Sequence, residues 1–103
     1  MNINHTNLEL NQQNRIANVL IADDDSEMAR FMLEILARKG IRGTIADSEE
    51  TAISHINKDD YDLVFTHETI RQRPSQPYHP QGGFRLLNRI KQLAPEIPVV
   101  FIT

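Results

Sequence analysis

Cysteine is absent from the 103 residues, so the chain can build no disulfide framework, zinc-thiolate site or dithiol redox pair. It also lacks a basic excess. Eleven Lys and Arg face fourteen Asp and Glu, for a net charge of -3, which argues against a nucleic-acid partner. No apolar run is long enough to span a membrane. The N-terminus does not show the charged-then-apolar layout of a signal peptide, and a cytoplasmic location is the expectation. Glycine is scarce, with four residues, and no Gly-rich phosphate loop follows the first apolar run, which counts against nucleotide binding. There is no internal repeat. The remaining composition, 40% hydrophobic and 24% charged, fits one small globular domain.

The sequence is organised around Val19-Leu20-Ile21-Ala22-Asp23-Asp24-Asp25. Four apolar residues run directly into three carboxylates. An apolar run of this length bounded by polar residues reads as a strand buried on both faces. Ligands of open parallel sheets bind beyond the carboxyl ends of the strands. Carboxylates placed there suit a hard cation such as Mg2+. An acidic turn capping the next helix is the competing reading of the same residues.

Strand and helix patterns then alternate. Residues 1–18 are polar, rich in Asn and Gln, and read as a flexible tail. Ser26 to Lys39 carries Met28, Phe31, Met32, Ile35 and Leu36 at helical spacing, expected to face the core. Asp25 or Ser26 caps its start, and Gly40 stops it. Arg42 to Asp47 is a short strand. Ser48 opens a second helix whose buried stripe is Ala52, Ile53 and Ile56. Tyr61 to His67 is the third strand. Arg71 to Gln81 holds Pro74, Pro77 and Pro80, a spacing that excludes helix and interior strand. Phe84 to Leu93 is a third helix with Leu86, Leu87, Ile90, Leu93 and Ala94 inward, and Val99 to Thr103 a fourth strand. Strands alternating with helices imply βαβ units and a parallel sheet.

In this order the pattern resembles a response-regulator receiver domain, the CheY-like, flavodoxin-like fold, over Val19 to Thr103. The first strand with its acidic pair, Ala46-Asp47-Ser48, Tyr61-Asp62-Leu63-Val64-Phe65-Thr66, Gly83-Phe84-Arg85-Leu86-Leu87 and Ile97-Pro98-Val99-Val100-Phe101-Ile102-Thr103 each resemble their counterparts. The resemblance implies a doubly wound parallel sheet that stops after its fourth strand, in the order 2-1-3-4. It also implies a role in two-component signalling. Family members accept a phosphoryl group from a histidine kinase onto an aspartate at the end of the third strand, assisted by Mg2+. By position, Asp23 and Asp24 would hold the metal, weakly or as a vestige, and Thr103 would be the switch residue.

Three departures qualify that inheritance. His67 stands at the acceptor position. Asp62 lies at the opposite end of the strand, and Glu68, one residue on, points to the other face. The following loop is about eight residues longer than in the family, a change surface loops tolerate. The family's fourth helix, fifth strand, fifth helix and phosphate-steadying lysine have no counterpart. The expectation is therefore an atypical receiver, not an enzyme, that works by protein contact without aspartyl phosphorylation. Self-association or a signalling partner is expected at the apolar edge of the fourth strand, while a histidine-kinase partner stays open. The alternatives are a phosphorelay receiver with rearranged chemistry around His67 and Asp24, a fragment of a longer regulator, or a small α/β metal-binding protein.

Overall fold

A computed structural model describes residues 16–102. The expected tail over 1–15 and the switch position Thr103 lie outside the described residues. The elements are β1 (Asn18–Ala22), α1 (Ser26–Arg38), β2 (Arg42–Ala46), α2 (Glu49–Lys58), β3 (Leu63–His67), β4 (Ile70–Arg71), β5 (Tyr78–His79), α3 (Gly82–Leu93) and β6 (Val99–Ile102). Four strands form one parallel sheet in the order β2-β1-β3-β6, as expected from the sequence. β1 begins one residue earlier than its apolar run. The Asn18 N–H donates to Asp62 Oδ2 at 2.7 Å, and its Nδ2 donates to the Asp60 carbonyl at 2.9 Å.

Because side chains alternate across a strand, β1 feeds two cores. Leu20 and Ala22 join Ala52, Ile53, Val64, Leu86 and Ile90 beneath α2 and α3. Val19 and Ile21 pack with Ala29 of α1, flanked by Met32, Leu33 and Leu36. Asp25 caps α1, its carboxylate accepting from the Glu27 and Met28 N–H groups at 3.1 Å. The helix ends in a Schellman arrangement. Gly40 N–H bonds the Ala37 carbonyl, Ile41 N–H bonds that of Leu36, and Gly40 holds a φ of 75°. Ser48 caps α2 in a reciprocal box with Thr51.

Three expectations are corrected. Met28, Phe31 and Ile35 do not face the core, and Phe31 is 59% exposed. The apolar arc of α1 is wider than the surface it rests on, and spacing alone does not say which half is covered. Ala29, small enough to seat the helix against β1, marks the buried half. Leu93 is likewise exposed, at the frayed end of α3. The proline-bearing segment is not merely a loop, because Ile70 and Arg71 pair antiparallel with Tyr78 and His79. The prolines at 74 and 77 fall between the paired residues, and Pro80 falls just after them, so no ladder donor is lost.

Two glycines let the start of α3 lie directly against the chain that leaves β3. A Cβ on Gly82 would collide with the Ile70 carbonyl, and one on Gly83 with that of His67. Gly83 N–H also donates to the Glu68 carbonyl at 2.8 Å. Gly83→Ala is expected to destabilise the fold by about 2 kcal/mol or more, since backbone would have to move. Chemical denaturation checks this. A cost within about 0.5 kcal/mol, typical of a neutral surface change, would contradict the close approach.

Candidate functional site

The three carboxylates after β1 have separate tasks. Asp23 continues the strand: its N–H donates to the Ala46 carbonyl at 2.9 Å, and the residue is 3% exposed. Its Oδ1 accepts from the Asp25 N–H at 2.9 Å, which fixes the carboxylate plane and leaves Oδ2 facing β3. Asp24 points toward the inserted hairpin. Asp25 is the helix cap, so the capping reading of this stretch holds for that one residue.

The β1–β3 register pairs Ala22 with Thr66, which places the next residues, Asp23 and His67, side by side. His67 Nε2 stands 3.0 Å from Asp23 Oδ2. Both atoms are buried, yet neither has a hydrogen-bond partner among the described residues. The contact is thus an electrostatic one without the alignment of a hydrogen bond. The imidazole is the nearest basic group to this carboxylate.

Asp24 meets a second cation. The Arg71 N–H, at the end of β4, reaches Asp24 Oδ2 at 3.3 Å, and the Arg71 Nε lies 3.6 Å from the same oxygen. Sequence reasoning did not single out Arg71. Its signal was an arginine four residues beyond His67, in a segment that leaves the strand end where the acids sit. Each member of the acidic pair is therefore matched by a basic side chain of the same chain.

The hairpin is fixed on its other side too. Glu50 N–H donates to the Gln72 carbonyl at 2.9 Å, and Arg73 lies 3.7 Å from Glu50. Deeper in, Glu49 is almost wholly buried and receives Arg85 Nε at 3.2 Å and Arg89 Nη1 at 2.9 Å. This group, also unforeseen, joins α2 to α3 and is spent on that join. Arg85 and Arg89 stand one helical turn apart, the spacing that lets two side chains converge.

Asp62 sits at the far end of β3, where it accepts from Asn18, and Glu68 is exposed beyond the strand. A recess of about 290 Å3 is lined by His67, Glu68, Thr69 and Ile102. A larger cleft lies elsewhere, between α2 and the hairpin.

An open parallel α/β sheet in the order β2-β1-β3-β6, with acids beyond the end of β1, is the architecture of a two-component receiver domain. The chain belongs to the response regulator receiver domain family, whose model matches residues 19–103. It is similar to the response regulator receiver protein CpdR of Brucella abortus, 25% identical over 85 residues, which are 82% of this chain and 64% of that protein. It therefore spans less than two thirds of that relative. NtrX from the same organism superposes with a TM-score of 0.72 at 29% identity, over 86% of this chain and 18% of that one. TrrA from Thermotoga maritima, solved in complex with Mg2+-BeF, shares the fold with a TM-score of 0.69 at 19% identity, over 84% and 68% of the two chains. No helix among the described residues is long and apolar enough to cross a membrane.

Burial raises the Asp23 pKa above its ordinary value, outweighing the lowering by the Asp25 N–H and by His67; Asp24 and Asp25 push it up further. A carboxyl whose pKa is higher folded than unfolded favours folding most below the unfolded value, and this is lost as pH rises through the folded value. From about pH 3 to about pH 5.5, below the ordinary histidine range, the wild type is expected to lose stability relative to Asp23→Asn. Asparagine keeps an oxygen for the Asp25 N–H. Denaturation of both proteins across that window checks the sign, and a difference that runs the other way would show that the His67 charge outweighs burial.

Proposed function

We propose that this chain is an atypical receiver that signals by protein contact and takes no aspartyl phosphoryl group. The observation that supports this best is His67 at the end of β3, held 3.0 Å from Asp23. Acyl phosphate formation needs a carboxylate nucleophile at that position, and imidazole is not one. Asp62 is a strand length away. The chain is a module to be recognised and not a catalyst.

Mg2+ is part of the TrrA complex, and the donors here do not fit it. Mg2+ takes oxygen ligands in near-ideal octahedral geometry. His67 replaces an oxygen donor with nitrogen, and the Asp24 oxygen is turned to Arg71. Asp23 Oδ2 is left without a hydrogen bond among the described residues, and any residual Mg2+ affinity is weak.

The contact surface lies on the α1 side of the sheet. Among the described residues β6 pairs only with β3, and Val100 is 42% exposed. By strand alternation, Val100 and Ile102 share the α1-side face with Leu63 and Phe65, and α1 on that side exposes Met28, Phe31 and Ile35. An unpaired edge beside an apolar face invites another strand or helix. The occupant is a signalling partner or a second copy of the chain.

Incubation with acetyl phosphate and Mg2+ is expected to leave the intact mass unchanged. A phosphoryl adduct would contradict the proposal, and its loss in His67→Ala would locate it on the imidazole. For the surface, sedimentation of the 103-residue chain is expected to show association that Val100→Lys weakens. A monomer at high concentration that also captures no partner would contradict this surface.

A further inference from the structure

We propose that the cleft between α2, the hairpin and α3 is a binding site for a small organic carboxylate. The cleft measures about 390 Å3, a volume in the range of small-molecule sites. It shares no residue with the acid pair or with His67. One wall is a single face of α2, where Glu50, Ser54 and Asn57 recur at helical spacing. Gln72 and Arg73 of the hairpin form the second wall, and Arg89 of α3 the third. The Gln72 carbonyl accepts from the Glu50 N–H at 2.9 Å, which fixes the hairpin wall against the helix.

The two arginines of the cleft are held differently. Arg89 Nη1 donates to Glu49 Oε2 at 2.9 Å, and that glutamate is 1% exposed. Its guanidinium is thus positioned in advance by a buried anchor, which lowers the entropy lost when a ligand binds. The planar fork has further N–H donors, and the side chain stays 47% exposed. Arg73 Nε lies 3.7 Å from Glu50 Oε2, too far for a hydrogen bond, and both side chains are more than half exposed. An exposed pair of this kind contributes little, so an incoming carboxylate displaces Glu50 from Arg73 at small cost. The charges select a singly negative group. Arg73, Arg85 and Arg89 face Glu49 and Glu50, an excess of one positive charge, on a chain whose net charge is -3. Ser54, Asn57 and Gln72 add neutral donors and acceptors, which suit a carboxylate attached to an amide or hydroxyl group.

NMR titration of the full chain with succinamate, which joins one carboxylate to one amide, tests this, with neutral succinamide as the control. Succinamate is expected to bind saturably, with a Kd on the order of 10 mM or below, and to shift the amide resonances of Ser54, Asn57, Gln72 and Arg73. Arg73→Gln is expected to weaken binding about threefold or more, and Glu50→Gln, which removes the competing carboxylate, to tighten it about threefold. A general loss of structure would not give opposite signs for the two partners of one ion pair. Arg30→Gln, on α1, removes the same charge as Arg73→Gln and is expected to leave the Kd unchanged. Absence of saturable binding, succinamide binding as tightly as succinamate, or weaker binding by Glu50→Gln would overturn the site. Inorganic phosphate binding more tightly at the same resonances would overturn the choice of a carboxylate.

Discussion

The contact between Asp23, buried where β1 ends, and His67 at the end of β3 is the constraint around which the rest of this molecule is arranged. Isolated, the charged form of Asp23 is disfavoured by burial. Here basic side chains of the same chain stand beside the acids. His67 answers Asp23 from the neighbouring strand, and Arg71 answers Asp24 from the inserted hairpin. Each acid of the pair thus has a basic side chain within 4 Å.

The hairpin connects this arrangement to the remainder of the fold. It starts beneath α3, where glycines admit the backbone between His67 and Ile70, and its middle docks on the first turn of α2. Glu49 then binds α2 to α3 through two arginines. Removing one partner of such a buried group is costly because charge is left uncompensated. One side of the sheet is thus tied by polar links converging near the acids. Among the described residues the other side has α1 alone, resting on β1 and β2, with Met28, Phe31 and Ile35 exposed.

Much of this was legible in the sequence. Buried β1, the capped helices and the parallel sheet follow from apolar runs, cap residues and strand–helix alternation, all of which are local signals, while the strand order came from the family resemblance. The neighbouring positions of Asp23 and His67 followed from the resemblance and the strand order. The orientation of α1 did not, because an arc from Met28 to Leu36 is apolar on more than one side and only packing selects Ala29. The β4–β5 pairing was hidden by prolines that lie in and just after its turn. The link from Arg71 to Asp24 spans 47 residues in sequence, and no local pattern announces a contact set by how a loop folds back. The arginines on Glu49 were hidden for the same reason.

The central claim is that the end of β3 offers no carboxylate to a phosphoryl group. Fluorine NMR of the chain with beryllofluoride and Mg2+ addresses it directly, since that complex forms on an acceptor carboxylate. The account requires signals of free beryllofluoride species only, with a bound resonance emerging in His67→Asp. A protein-bound, Mg2+-dependent fluorine resonance in the wild type would contradict it.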